Sequence, residues 1–451
     1  MKFTKALAIT LTLMFVLTAC GTVQKEPTTN PTEESTVSTT APIQEPVTPD
    51  VTAIVLSDEA ITVNGEAAGT DKANAVYTAN DIVYYEAGKD FTYGEGSESD
   101  SHTSDEASAH TVVHITKAGK YSLSGKLSLG QIAVNLGEDA KEDPEAVVTL
   151  ILNGADITCK VAPAVIFYNV YECGNKDAEQ ASKDVDTSAA GANVVIADGT
   201  VNTINGSYVE KIYDPDSVVL NEYGTEVEDA DKLHKYDAAF YSKRSMNVNG
   251  DEKGTGILNI NAENEGLDSE LHLTINGGNI SILSGNDGIN TNEDEVSVTT
   301  VNGGTLKIKV TGETGEGDGI DSNGWLVING GTVIAEACSD SADSGIDSDM
   351  GIHINGGTVI ASGSMLDRIE DGGQPYATFN LPARQSTEDK LFLKDSEGND
   401  IMNFNIENEF SVLLCSSPSF SKDTSYTLWN STEELAQQGS GIGPGGMRPQ
   451  W

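Results

Sequence analysis

The chain has 451 residues, with 70 Asp plus Glu against 26 Lys plus Arg and a formal net charge of −44. That excess excludes nucleic acid as a partner, because no basic stripe is present to displace counterions from phosphates. It also argues against direct binding of an anionic polysaccharide without a bridging cation.

The N-terminus reads as a secretory signal. Lys2 and Lys5 precede an apolar run through Leu17, too short for a stable membrane span. The run ends Leu17-Thr18-Ala19-Cys20, followed by Gly21, which is a lipobox. Residues 1–19 are therefore expected to be removed, and Cys20 to carry a lipid that anchors the chain to a membrane face without spanning it. The expected location is the extracellular face of the cell. Residues 20–50 are rich in Thr, Pro, Ser and Glu and cannot bury a core, so they read as an extended tether. Of the remaining cysteines, Cys159, Cys173, Cys338 and Cys415, none has metal-ligand spacing. Cys159 with Cys173 is the most plausible pair.

From residue 51 the sequence predicts strands near Ile54–Leu56, Ile61–Val63 and Val112–Ile115, with a polar loop from Gly94 to Ser108. Further on, one phrase recurs. It reads Ile275-Asn276-Gly277-Gly278, Val301-Asn302-Gly303-Gly304, Ile328-Asn329-Gly330-Gly331 and Ile354-Asn355-Gly356-Gly357, with the asparagines 26, 27 and 26 residues apart. A worn copy, Val248-Asn249-Gly250-Asp251, lies 27 residues upstream. A fixed period of this size means a stacked array. The expected fold class is all-β: a right-handed, single-stranded parallel β-helix, or β-solenoid, of about 26-residue coils, capped at its C-terminus. It is expected to cover 51–435, with a Gly-rich flexible tail at 436–451.

Each phrase is followed by an alternating strand. Ile280, Leu306, Val333 and Val359 should form one inward ladder, and Ile282, Ile308, Ala335 and Ala361 another. Strands before each phrase (Leu271, Leu273, Ile275; Leu326, Ile328; Met350, Ile352, Ile354) should do the same. Val296 and Val298 are one residue out of phase with Val301, which predicts a bulge. The glycines suit a turn with positive φ. The asparagines tolerate a left-handed backbone and can bond to their equivalents above and below, which makes them a structural ladder.

A second phrase marks the opposite turn: Glu265-Gly266-Leu267-Asp268, Asp287-Gly288-Ile289-Asn290, Asp318-Gly319-Ile320-Asp321 and Ser344-Gly345-Ile346-Asp347. Its acids cannot face the core if Leu267, Ile289, Ile320 and Ile346 do. One coil earlier, Ala238 to Ser242 keeps the apolar centre and lacks the acids. Stacking would bring Asp287, Asp318 and Asp343, or Asn290, Asp321 and Asp347, about one strand spacing apart. Such repulsion calls for a cation, and carboxylate and amide oxygens suit Ca²⁺, whereas Zn²⁺ would want His or Cys. His272 and His353 read as outward strand positions. The expected metal ligands are Asp268, Asp287, Asn290, Asp318, Asp321, Asp343 and Asp347, with solvated acidic loops as the bland alternative.

These motifs resemble the bacterial extracellular carbohydrate-binding domain proteins, clostridial in type, with a polysaccharide-lyase-like parallel β-helix. The INGG turns at Ile275, Ile328 and Ile354, the DGI phrases at Asp287 and Asp318, the lipobox at Cys20 and the closing Ser417 to Leu428 segment carry the resemblance. It implies calcium along the helix and affinity for plant cell-wall glycans such as cellulose and polygalacturonate, without catalysis. The chain departs from it at Ser344 and in insertions at about 168–190 and 210–236.

A calcium-dependent lyase stays open as an alternative. It would need a basic residue beside the metal to remove a proton. The four arginines are Arg244, Arg368, Arg384 and Arg448, none between residues 250 and 367. Lys307 and Lys309 are the only plausible bases there. These two lysines and Trp325 are also the candidate carbohydrate contacts, Trp325 either facing outward as a sugar platform or packing under a loop. A structural surface adhesin with a protein ligand is the third reading. In each, the chain is expected to act as a monomer.

Overall fold

The structure is a computed structural model, and it describes residues 51–386 and 389–439. The leader, Cys20, the tether and most of the Gly-rich tail lie outside the described residues. What is described falls within one compact unit, Pro49–Trp451. It is nearly all β: among the described residues the helices are Ser104–Ser108 and a 3-10 turn at Glu138–Glu142. The first lies inside the stretch expected to be a plain loop. Thr103 caps it, accepting from the Glu106 N–H at 3.3 Å while the Glu106 carboxylate accepts from the Thr103 N–H at 2.8 Å.

Three rows of strands dominate. The first runs through Met246–Gly250, His272–Ile275, Val298–Val301, Trp325–Ile328 and Gly351–Ile354, each parallel to the next. The second runs through Ile257–Ala262, Asn279–Ser284, Thr305–Val310, Thr332–Glu336 and Thr358–Gly363, again parallel. The third joins Thr111–Ile115, Gly130–Asn135, Val165–Asn169, Ala238–Ser242, Glu265–Ser269 and Ile289–Thr291, and continues through bridges from Ile289 to Ile320 and from Ile320 to Ile346. Every strand therefore pairs with its equivalent one repeat away.

The register places the apolar ladders as the alternation predicts. Ile280, Leu306, Val333 and Val359 are successive partners, as are Ile282, Ile308, Ala335 and Ala361, and all are buried. Val248, Ile275, Val301, Ile328 and Ile354 form a third file, and Phe240, Leu267, Ile289, Ile320 and Ile346 a fourth. Each such valine, leucine, isoleucine or phenylalanine stabilises the stack by roughly 1.5–3 kcal/mol relative to exposure, the alanines by less.

The expected bulge before Val301 is absent. His272 to Ile275 pairs evenly with Val298 to Val301, and Thr299 occupies the inward slot between Leu273 and Leu326. A fully buried threonine is tolerated there because its hydroxyl meets that of Thr291 at 3.1 Å. The extra residues, Asn292 to Glu295, are absorbed by a turn instead. Glu295 takes φ +58°, and the Glu293 carbonyl accepts from the N–H groups of Val296 and Ser297.

The asparagine ladder forms. Each amide Nδ2 donates to the Oδ1 of the preceding copy: Asn276 to Asn249 at 3.0 Å, Asn302 to Asn276 at 2.8 Å, Asn329 to Asn302 at 2.9 Å and Asn355 to Asn329 at 2.8 Å. The left-handed residue of each turn is the second glycine, not the asparagine. Gly304, at φ +84°, also leaves no room for a Cβ, which would lie 2.5 Å from the Gly278 carbonyl oxygen.

The parallel stack ends where Phe410–Ser416 joins Thr358–Gly363 in antiparallel fashion and pairs with Tyr376–Gln385. A second core of Phe379, Leu393, Phe410, Phe420, Tyr426 and Leu428 backs this cap. All four described cysteines are free, so Cys159 and Cys173 are not paired.

The ladder generates a test. Asn302 both donates and accepts within it, whereas Asn355 only donates. Asn302→Ala is expected to cost about 1–2 kcal/mol and Asn355→Ala about half as much. Equal losses in denaturant unfolding would count against the ladder as a source of stability.

Candidate functional site

The third row presents alternate positions outward. His114, Ala133, Ile166, Tyr241, Asp268 and Asn290 are register partners across it, and Asp321 and Asp347 follow the bridged isoleucines. The acids thus point away from the core, as the alternation demands. They are nevertheless covered: Asp268 is fully buried, and Glu265, Asp318 and Asp347 nearly so.

Two groups result, in each of which the carboxylate oxygens lie within 4.8 Å of one another: Asp237, Glu265 and Asp268, and Asp318, Asp321 and Asp347. Asp268, Asp318, Asp321 and Asp347 were expected as ligands; Asp237 and Glu265 were not. Asp237 immediately precedes the Ala238 to Ser242 strand that reads as having lost its acids. Asn290 borders the first group, its amide donating to Glu265 Oε1 at 3.1 Å. Asp287 and Asp343 stand outside both groups and serve the backbone. Asp287 Oδ1 accepts from the Asp318 N–H at 2.6 Å, and Asp343 Oδ2 from the Gly317 N–H at 2.7 Å. The register also puts Ser344, not Asp343, in file with Asp287 and Asp318, since the Gly266, Gly288 and Gly319 N–H groups bond the Asp287, Asp318 and Ser344 carbonyls in turn.

The first group is short of positive charge. Lys235 Nζ lies 2.9 Å from Asp237 Oδ2, and Asn292 donates to both oxygens of Asp268 at 2.9 and 3.0 Å. Glu265 Oε2 and Asn290 Oδ1 are buried without any partner. Burial, reinforced by the neighbouring carboxylates, holds Glu265 and Asp268 well above the usual carboxylate range. The same causes raise Asp287 and Asp318, and burial raises Asp237. Oxygen-only donors, an excess of carboxylate and two orphaned acceptors fit a hard divalent cation. His272 contributes nothing to it. It holds the outward strand position expected but is buried beneath Gly174, its Nδ1 accepts from the Val298 N–H at 3.1 Å, and burial lowers its pKa to about 4.

A trough of about 950 Å³ runs across the outer face of the second row. Its floor follows the register: Asn259, Ser281, Lys307, Ile334 and Ile360 in one file, Asn261, Leu283, Lys309 and Glu336 in the next. The cap supplies the far wall through Phe404, Asn405 and Glu407, and Lys309 Nζ lies 3.0 Å from Glu407 Oε2. Lys307 is exposed. Trp325 belongs to the first row and is absent from these walls. The outer side of that row is crossed by the 171–190 segment, where the Thr187 hydroxyl bonds Asn247 Oδ1 and Thr274 Oγ1, each at 2.7 Å. Val327, expected to face outward beside Trp325, is buried. Lys307 and Lys309 come together; Trp325 does not join them.

Comparison with known proteins agrees with a binding role. A family model described as carbohydrate-binding domain-containing protein matches residues 109–374. A carbohydrate-binding domain-containing protein of Acetivibrio thermocellus is 30% identical over 172 residues, 38% of this chain; the match spans less than half of that relative's length, 44%. A solved structure, the gadolinium derivative of a polysaccharide lyase-like protein from C. thermocellum, aligns over 72% of this chain and 98% of its own, at 18% identity and a TM-score of 0.40. A likeness that distant carries no weight for function.

The buried acids fix a pH dependence. In the folded chain the raised carboxylates hold protons that the unfolded chain has already released. Stability without metal therefore falls as pH rises from the ordinary carboxylate range through the raised folded values. The melting midpoint of chelator-treated protein is expected to drop over the window that opens above the ordinary carboxylate range, as pH rises through the raised folded values. Asp268→Asn, which removes one buried charge, should soften the drop. A midpoint that stays level across this window would contradict the charge reading of both groups.

Proposed function

The chain belongs to the carbohydrate-binding domain-containing protein family, and on that premise we propose that it is a non-catalytic, calcium-loaded binder of cell-wall-type polysaccharide, polygalacturonate or cellulose. In this reading the coils wind as a right-handed parallel β-helix. The two carboxylate groups hold Ca²⁺, and a lipid on Cys20 tethers the protein to the outer face of the cell.

The observation that carries the reading is the trough. Its floor is built from one strand per repeat, so it presents a row of different side chains spaced at about 4.8 Å intervals along the stacking direction. Five strands give a run of about 20 Å, suited to an extended chain rather than a compact molecule. Amide, hydroxyl and ammonium groups line it beside the exposed Leu283, the mix of hydrogen-bonding and apolar contact that a sugar ring needs. Lys307 and Lys309 offer it positive charge in an otherwise acidic molecule.

Calcium belongs to the scaffold in this proposal. When bound it would add positive charge beside Asp237, Glu265 and Asp268, and likewise beside Asp318, Asp321 and Asp347. Its effect on glycan binding is then indirect, through the coils that carry the trough floor. Lys309 is already engaged with Glu407 and Lys307 stands in solvent, which supports binding over proton abstraction.

The test uses retention of the protein on polygalacturonate and on cellulose, with calcium and with chelator, while ultraviolet absorbance follows any unsaturated uronate. Calcium should raise the melting midpoint by several degrees, as ligand linkage requires. Lys307→Gln with Lys309→Gln should weaken retention on polygalacturonate about ten-fold, equivalent to about 1.4 kcal/mol, with no absorbance rise in any condition. A steady rise would make the protein a lyase; unchanged retention in the double variant would move the glycan off the trough.

A further inference from the structure

We propose that a second concavity, on the outer face of the third row, binds one carboxylate-bearing sugar residue, with the Lys243 ammonium taking the carboxylate. The proposal rests on reading the protein as a polysaccharide binder and adds, at a separate place, a carboxylate contact for a single sugar residue to those the trough lysines offer.

The concavity has a volume of about 330 Å³, at the small end of the roughly 300–1,000 Å³ of ligand pockets. Its floor exists because Ala133 stands where the file passes from His114 to Ile166, leaving space that a larger side chain would fill. One wall comes from the 210–236 insertion. There Lys232–Tyr236 pairs with Val209–Tyr213 and hangs Leu233, His234 and Tyr236 over the sheet. The other side holds Tyr168 and the His114–Asp81 pair, Nε2 to Oδ1 at 2.6 Å.

The walls are pre-set. Tyr168, Tyr236 and Tyr241 pack edge to face, with centroids 5.5 and 5.3 Å apart. His234 Nδ1 lies 2.7 Å from the Tyr236 hydroxyl. Such a wall offers ring surface and fixed polar edges at little entropic cost.

Lys243 gives the pocket its sign. Its Nζ lies 6.0 Å from the centre of the Tyr236 ring. Among the described residues it is the one lysine outside any ion pair that is not exposed to solvent. The nearby Glu270 is taken by Lys232 at 3.2 Å and by the Tyr241 hydroxyl. In a chain of net charge −44, leaving a half-buried ammonium without a carboxylate is costly unless an anion arrives from outside. Burial, with Arg244 adding to it, also pulls Lys243 below the ordinary lysine value, and a bound anion would reverse that. A single ammonium among phenols and imidazoles suits a monovalent carboxylate better than a phosphate dianion, which draws on several donors.

The experiment titrates the full chain with galacturonate and, separately, with galactose, read by calorimetry and by NMR of the histidine ring resonances. Galacturonate should bind at least about ten-fold more tightly than galactose and shift the His234 and His114 signals. Lys243→Gln should remove that preference, and Lys243→Arg should keep most of it, with unchanged melting midpoints. Equal binding of the two sugars, unshifted histidine signals in the wild type, or an undiminished preference in Lys243→Gln would each overturn the proposal. The wild-type NMR result decides the matter even if Lys243→Gln fails to fold. Because the probe is a monosaccharide, loss of retention on polymer would sink the broader reading while leaving this one standing, and the reverse outcome would do the opposite.

Discussion

Register is the constraint on which this molecule depends. Parallel strands that repeat every 26 or 27 residues bring each side chain against its own equivalent. Like meets like all along the stack, and the consequences differ by chemistry. Leucine on valine buries apolar surface on both. Asparagine on asparagine closes a chain of amide bonds. Aspartate on aspartate accumulates negative charge. One geometric rule thus yields the core, the turn and the electrostatic burden.

The faces of the coil divide the labour. The inner faces of all three rows make one continuous core. The outer face of the first row is crossed by the segment that carries Thr187, and so is unavailable to a large ligand. That of the second row stays open and becomes the trough. That of the third row changes along its length, from aromatic and imidazole groups at His114 and Tyr168 to packed carboxylates at Asp268 and beyond. The insertions that interrupt the repeat therefore decide which faces can meet a partner.

Much of this was legible because period-two alternation and a fixed repeat leave little freedom. The ladders through Leu306 and Ile328 and the asparagine file follow from them directly. The failures have physical reasons. Val296 and Val298 read as out of phase with Val301, but the inward slot belongs to Thr299, whose hydroxyl is satisfied by that of Thr291. Asp237 escaped notice because it lies just outside the phrase that repeats. Asp343 falls outside the clustered acids because Ser344, not Asp343, is in file with Asp287 and Asp318. A turn N–H does not set Asp287 apart, since clustered Asp318 accepts one from Ser344 just as Asp287 accepts one from Asp318. Trp325 and Lys243 show the limit most plainly. What covers an outward residue is set by distant insertions, and no local pattern reports it.

The two ends of the stack carry a consequence for assembly. Val51–Leu56 is flanked by Thr62–Val63 in antiparallel fashion, and Thr358–Gly363 by Phe410–Ser416. A column of in-register parallel strands is otherwise a template for its own continuation, since the last coil exposes the groups that the first coil of another copy would satisfy. Reversing strand direction at both ends breaks that match. The column of parallel strands is thereby bounded by an antiparallel neighbour at each end.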